Sequence, residues 1–207
     1  NSMPKANIFN QHHEQYDEWF EKHHDMYRAE LTSIKSMIAI HGAGLEIGVG
    51  SGKFAVPLGI TTGVEPSVEM ARKAARQGIK VYNAVAEQLP FDNDTFDFAI
   101  MVTTICFVDD PQKSIYEAYR VIKPDGFCII AIVDKDSNLG KQYLKNKDKS
   151  TFYKEATFFS TSEIVNLMTN AGYSNFQFKQ TLFDDENPFR IEDGYTGGSF
   201  VVIKGYK

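Results

Sequence analysis

Three glycines at alternate positions follow a short apolar run, and they constrain the fold more than any other feature of this chain. The run 45–47 leads into Gly48, Gly50 and Gly52, and a helix-like start follows. Because glycine lacks a Cβ, a backbone built from it can turn sharply and approach a ligand closely. A strand that ends in such a turn and feeds a helix is typical of nucleotide-binding α/β folds.

The spacing argues against the two common phosphate-binding loops. A dinucleotide loop needs glycine at position 53, where this chain has Lys53. A phosphate loop needs glycine at position 47 and Ser or Thr at position 54, where the chain has Ile47 and Phe54. A ligand without a pyrophosphate therefore fits the pattern better.

An acidic residue, Glu65, follows the strand that is predicted after the glycine loop. An acid at the end of the second strand can accept two hydrogen bonds from a ribose diol. The alternative is that Glu65 caps the helix predicted to begin at Pro66, because a carboxylate is favourable at a helix N-terminus.

With the motifs further along the chain, this sequence resembles the class I S-adenosylmethionine-dependent methyltransferases, and among them the small methyltransferases of type 11. The resemblance covers roughly residues 40–135. Its motifs, in the order and spacing of the family, are Glu46-x-Gly48-x-Gly50-x-Gly52, Glu65, Ala86-Glu87-Gln88-Leu89-Pro90-Phe91, Phe96-Asp97 and Arg120-Val121-Ile122-Lys123-Pro124-Asp125-Gly126.

Strand and helix patterns alternate from residue 44 onward, which predicts an α/β fold with parallel strands and helices on both faces of the sheet. The resemblance implies a Rossmann-like, doubly wound sheet of seven strands in the order 3-2-1-4-5-7-6, with the last strand antiparallel. Strands are predicted near 44–48, 60–64, 79–83, 96–102, 126–133, 175–183 and 199–206. Helices are predicted near 53–58, 66–77, 111–122 and 161–171.

A length of 207 residues predicts one domain. Within it, residues 1–40 are expected to form a helical cap, since apolar residues recur at three- and four-residue steps. Residues 41–135 would bind the cofactor, and residues 136–207 would form the acceptor side and complete the sheet. Pro57 leaves room for only a short first helix after the glycine loop.

The resemblance implies S-adenosylmethionine as methyl donor and S-adenosylhomocysteine as product. Glu46 would hold the loop or reach the cofactor's amino group, and Met70 would close over the adenine or belong to the core. The residues predicted to bind the cofactor are Tyr16, Glu46, Gly48, Gly50, Gly52, Glu65, Pro66, Met70, Ala86, Glu87, Val102 and Thr103.

The chain departs from the family pattern in two places, at Val85 and at Cys106-Phe107. Many relatives have Asp where this chain has Val85, so the adenine contact would come from backbone near Ala86 and Glu87, or from water. Many relatives also carry a histidine pair where this chain has Cys106 and Phe107. No catalytic residue is therefore predicted, and Cys106 is expected to be a structural thiol.

The substrate residues predicted on the acceptor side are Trp19, Thr104, Asp134 and Tyr153. Tyr16 and Trp19 would form a lid over the cofactor, or else pack in the core. Segments 8–28 and 134–160 are expected to form a movable cover, because both carry aromatic residues and flank the cofactor end of the sheet.

Composition narrows the partners. A net charge of −5 argues against nucleic acid as the default partner, and no apolar run is long enough for a membrane span. Two isolated cysteines indicate a reducing, cytoplasmic location. Adjacent histidines such as His12 and His13 point apart on a helix, so no metal site is predicted.

The function predicted is methyl transfer to a small molecule, with an amine favoured because no general base is evident. An oxygen acceptor with Asp134 or Tyr153 as base stays open. Modification of a protein or tRNA with the help of a partner stays open as well, as does a non-catalytic cofactor-binding module. The sequence identifies neither the acceptor nor an oligomeric state.

Overall fold

A computed structural model describes residues 4–39 and 41–207. Residues 1–3 and 40, which belong to the predicted helical cap, lie outside the described residues. The helices are α1 Pro4–Gln11, α2 His13–Lys22, α3 His24–Lys35, α4 Ala55–Leu58, α5 Val68–Arg76, α6 Pro111–Val121, α7 Asn138–Lys145 and α8 Thr161–Ala171. The strands are β1 Gly44–Ile47, β2 Thr62–Val64, β3 Lys80–Tyr82, β4 Phe96–Val102, β5 Ile122–Val133, β6 Ser174–Thr181, β7 Glu192–Asp193 and β8 Phe200–Tyr206.

The strands form one sheet in the order β3-β2-β1-β4-β5-β8-β6-β7. Strands β1 to β5 are parallel, and β8 lies antiparallel between β5 and β6. The doubly wound α/β fold is thus confirmed, with β8 in the predicted place of the last strand. The predicted count of seven strands is wrong by one, because the two-residue β7 pairs with β6 at the edge.

The sheet carries a hydrophobic core on each face, because successive side chains of a strand point to opposite sides. Ala99 and Met101 of β4 belong to the core that includes α6 and α8, whereas Ile100 belongs to the core that includes α3, α4 and α5. The parallel strands are consequently buried on both faces, and their carboxyl ends meet at one edge of the sheet.

Local sequence signals explain several helix ends. The Ser160 hydroxyl accepts a hydrogen bond from the Glu163 N–H, which is half of a Ser-x-x-Glu capping box, and Gly172 ends the same helix at φ +113°. The short helix predicted from Pro57 is α4. The prediction that Pro66 lies in the first turn of α5 is wrong, since Ser67 is the N-cap and its hydroxyl accepts from the Met70 N–H.

Within residues 4–39, the N-terminal cap has three helices, which break at His12 and His23. Polar contacts fix this cap to the core. The Asp17 carboxylate accepts from the Ser51 hydroxyl at 2.7 Å and from Lys73 Nζ at 2.7 Å. The Asn10 side-chain oxygen accepts from the Ser67 hydroxyl at 2.6 Å. The cap therefore lies directly over the glycine loop and the start of α5.

Candidate functional site

A cavity of about 170 Å³ lies beyond the carboxyl ends of β1, β2 and β4, under the N-terminal cap. This is where ligands bind in open α/β sheets. The predicted site residues that line it are Tyr16, Trp19, Gly48, Gly50, Glu65, Pro66, Met70, Ala86, Glu87, Val102, Thr103, Thr104 and Tyr153. We call the side formed by Gly48, Gly50, Glu65, Pro66, Met70, Ala86 and Glu87 the loop half. The side formed by Tyr16, Trp19, Glu30, Tyr143, Phe152 and Tyr153 is the aromatic half.

The glycine loop has backbone conformations that few other residues adopt. Gly48 has φ +74°, and a Cβ there would lie 2.4 Å from the Thr104 side chain. Gly50 has φ +58°, and a Cβ there would meet nothing closer than 3.5 Å. Gly48 is thus required by packing as well as by conformation, whereas a Cβ at Gly50 would make only ordinary van der Waals contacts with Met70 and Tyr16.

Glu65 ties the glycine loop to the end of β2. Its Oε1 accepts from the Gly50 N–H at 2.9 Å, and its Oε2 accepts from the Ser67 N–H at 2.8 Å. Burial raises the pKa of Glu65 to about 7, although these two backbone bonds oppose the rise. Each carboxylate oxygen has a second lone pair, so the group can also accept bonds from a ligand in the cavity.

Glu46, on β1, is a second buried carboxyl near the loop half. It is 1% exposed, and its Oε1 has no hydrogen-bond partner among the described residues. Burial raises its pKa well above the ordinary value, and the nearby Glu65 carboxylate adds to the rise. A buried carboxyl oxygen without a partner is costly, so a donor group on a ligand would stabilise it.

Three predicted site residues do not line the cavity: Glu46, Gly52 and Asp134. A Cβ at Gly52 would lie 2.9 Å from Ile79, so this glycine serves the packing of the loop on the core. Asp134 Oδ2 accepts from the N–H and hydroxyl of Thr161, and its Oδ1 accepts from the Asp136 N–H. The structure therefore holds Asp134 in a turn after β5, away from any acceptor in the cavity.

The end of β4 brings a strained residue to the cavity. Thr103 has φ +51°, in the left-handed region that β-branched residues rarely adopt, and such strain is concentrated at functional sites. The Thr104 hydroxyl donates to the Val102 carbonyl at 3.1 Å. Burial raises the pKa of the Cys106 thiol to about 12, which fits the structural role expected for this cysteine.

The aromatic half is built by the cap and by the chain after β5. Tyr16 packs edge-on against Phe152, with ring centroids 5.9 Å apart, and Tyr143 stacks on Tyr153 at 4.9 Å. Both segments of the expected cover thus contribute to the cavity wall. Whether they move on ligand binding stays a prediction.

Sequence reasoning missed Glu30 and Tyr143 in this half. Helix α7, which carries Tyr143, was not predicted, although Ser137 caps it by accepting from the Gly140 N–H at 3.0 Å. Gly140 is needed because a Cβ there would lie 1.9 Å from the Asp134 carbonyl oxygen. Ser137 and Gly140 were the sequence signals for helix α7, but the lysines that follow them suggested a solvent-exposed segment instead.

Glu30, on α3, is the third buried carboxyl of the site. It is 6% exposed and lines the cavity, and burial raises its pKa to about 8. Its side chain has no hydrogen-bond partner among the described residues. The Tyr16 hydroxyl lies near all three carboxyls: burial raises its pKa, and the charges of Glu46, Glu65 and Glu30 add to the rise. Such a cavity favours a ligand with positive charge and hydrogen-bond donors.

A family model described as a methyltransferase domain matches residues 45–130. A solved structure from Thermotoga maritima, a SAM-dependent methyltransferase described as a possible histamine N-methyltransferase, is 48% identical to this chain. The similarity covers 97% of this chain and 99% of that one, with a TM-score of 0.93. The chain belongs to the S-adenosylmethionine-dependent methyltransferases. The predicted enzyme class and cofactor are thereby confirmed.

Two further proteins are similar to this methyltransferase in sequence. An uncharacterized protein of Methanocaldococcus jannaschii is 43% identical over 97% of this chain and 99% of its own length. A ubiquinone/menaquinone biosynthesis C-methyltransferase of Rickettsia akari is 31% identical over 63% of this chain and 55% of its own length. The Rickettsia akari relative is thus a C-methyltransferase by description, whereas the Thermotoga maritima protein is described as a possible N-methyltransferase.

The buried acids of the cavity fit the family's cofactor. S-adenosylmethionine carries a sulfonium, an ammonium group and a ribose diol, and the cavity-lining carboxyls of Glu65 and Glu30 offer acceptor oxygens for such groups. Within residues 4–39 and 41–207, no helix is long and apolar enough to cross a membrane. The same residues contain no group of three His, Cys, Asp or Glu side chains placed to hold a metal ion.

Proposed function

We propose that this methyltransferase modifies a small molecule that carries an amine. The observation that supports a small acceptor is the cavity of about 170 Å³, whose aromatic half lies under the N-terminal cap. A nucleic-acid substrate would call for a basic surface, and the net charge is −5. Both observations favour a small molecule over a polymer.

We assign the loop half to the cofactor. When bound, S-adenosylmethionine supplies an electrophilic methyl group on a sulfonium. Glu65 would accept hydrogen bonds from the ribose hydroxyls, and Gly50 would let the backbone lie close beneath the cofactor. Ala86 and Glu87 would lie beside the adenine, where Val85 offers only its backbone. Tyr16, Trp19 and Met70 would exclude water, and the chain's main contribution to rate would be positioning.

Nitrogen is the better acceptor atom because the predicted bases for an oxygen acceptor are poorly placed. Asp134 lies outside the cavity, and its two oxygens already accept three hydrogen bonds. Burial raises the pKa of Tyr153 well above its ordinary value, so its hydroxyl stays protonated. The Thermotoga maritima relative, described as a possible histamine N-methyltransferase, supports the same choice.

A turnover assay tests this proposal. The protein is incubated with S-adenosylmethionine carrying a labelled methyl group and with histamine, phenethylamine, phenethyl alcohol or catechol, and products are identified by mass spectrometry. We expect label on nitrogen in at least one amine, with equimolar S-adenosylhomocysteine. Label only on catechol, or cofactor binding with no product from a wider acceptor panel, would contradict it.

The proposal also covers the domain organisation and the cellular location of the protein. We take residues 1–207 as one methyltransferase domain, with the cap, the cofactor-binding core and the acceptor side divided near residues 40 and 135. The isolated, buried thiols Cys106 and Cys128 support a reducing, cytoplasmic location.

A further inference from the structure

Glu30 occupies a position where a carboxyl group is unfavourable for folding. Residues on the same face of α3, such as Ile34, are packed in the core. Burial disfavours the charged form of a carboxyl group, and it raises the pKa of Glu30 to about 8. Glu30 is 6% exposed, opens into the cavity and has no partner among the described residues. The group is therefore placed to bind something that enters the cavity.

The surroundings of Glu30 are aromatic. Tyr16, Tyr143 and Tyr153 line the same cavity as Glu30. Burial raises the pKa of Tyr143 to about 12, and the Glu30 charge adds to the rise. Tyr153 stacks on Tyr143 with ring centroids 4.9 Å apart. The Glu30 charge also contributes to the raised pKa of Tyr16. The faces of aromatic rings attract cations, and a carboxylate among such rings adds a charged hydrogen-bond acceptor.

We propose that Glu30, with the rings of Tyr16, Tyr143 and Tyr153, forms the subsite that binds the protonated amino group of the acceptor. This inference rests on the proposed function, since it assigns the aromatic half of the same cavity to an amine. It differs from the roles of Glu46 and Glu65, which lie at the loop half. It also explains why a costly carboxyl is present at this position.

The same carboxylate can prepare the amine for methylation. An ammonium nitrogen has no free electron pair, so one N–H bond must break before the nitrogen can act as a nucleophile. The ionised form of Glu30, which becomes populated as the pH approaches its raised pKa of about 8, takes that proton: an O–H bond forms on the carboxylate, the N–H electron pair stays on nitrogen, and a neutral acid and a neutral amine result. Burial raises the pKa of Glu30 to about 8, closer to that of an amine than an exposed glutamate would be.

Calorimetric titration with a matched pair of probes tests the subsite. Protein saturated with S-adenosylhomocysteine is titrated with phenethylamine, which is cationic, and with phenethyl alcohol, its neutral isostere. We expect the amine to bind roughly 10- to 100-fold more tightly, as a charge-assisted hydrogen bond predicts. Glu30→Gln keeps the shape of the side chain and should remove this preference, while S-adenosylhomocysteine and alcohol binding stay unchanged.

The control is Glu21→Gln, the same chemical change on the exposed face of α2. It should bind both probes as the wild type does. Equal affinities of the two probes for the wild type, or an amine preference that survives in Glu30→Gln, would overturn the subsite and leave the proposed cofactor site standing. Failure of wild-type protein to bind S-adenosylhomocysteine would overturn the proposed function, and the subsite with it.

Discussion

The two halves of the cavity are built by different means. The loop half is held by backbone groups: the Gly50 and Ser67 N–H groups donate to Glu65, and the Gly48 N–H donates to the Val64 carbonyl at 2.8 Å. The aromatic half consists of side chains from separate elements, and its only buried acid, among the residues described, lacks a hydrogen bond. The first half is suited to a cofactor common to a family, and the second can change with the acceptor.

Glu65→Ala tests whether the loop half carries the cofactor, and it should have the largest effect. We expect S-adenosylhomocysteine binding to weaken by about 1.5–3 kcal/mol, roughly 10- to 100-fold in Kd. The fold should also lose about 1–3 kcal/mol, because the buried Gly50 and Ser67 N–H groups would lose their acceptor. Calorimetry and chemical unfolding measure the two losses.

Asp97→Ala is the matched control for that variant. Asp97 accepts from the Ala43 N–H at 2.7 Å, but it lies at the start of β4, at the opposite edge of the sheet. It should lower stability without changing cofactor affinity. An unchanged Kd in folded Glu65→Ala would mean that Glu65 serves only to join the loop to α5.

The difference between the halves also explains what could be predicted from the sequence. Gly48, Gly50 and Glu65 follow strands in a fixed local order, so the sequence could predict that they lie together, and all three line the cavity. Glu30 and Tyr143 reach the cavity only through tertiary packing, and neither belongs to a local pattern. Asp134, predicted as a substrate residue and possible base, lies outside the cavity lining, where Thr161 and Asp136 donate hydrogen bonds to its carboxylate.

Glu30→Gln tests the aromatic half through a smaller effect, on the free energy of unfolding. Burial raises the pKa of Glu30 from 4.5 to about 8, so the folded protein keeps a proton that the unfolded chain releases between these values. The wild type should therefore lose stability as pH rises from about 4.5 to about 8, by on the order of a few kcal/mol in total. Glu30→Gln carries no such proton and should escape this loss.

Thermal unfolding at pH 5 and pH 9 measures that difference. The two proteins should have similar Tm values at pH 5, and Glu30→Gln should have the higher Tm at pH 9. Glu21→Gln, on the exposed helix face, should follow the wild type at both pH values. Parallel behaviour of wild type and Glu30→Gln would show that the Glu30 carboxyl is solvated or paired in solution.

A crystal structure of the protein with S-adenosylhomocysteine and phenethylamine tests the two-half account most directly. The account predicts the ribose hydroxyls within hydrogen-bonding distance of Glu65, and the amine nitrogen against the Glu30 carboxylate between the tyrosine rings. The sulfur of S-adenosylhomocysteine should lie between the loop half and the bound amine. An amine bound outside the aromatic half, or a ribose without contact to Glu65, would contradict the account.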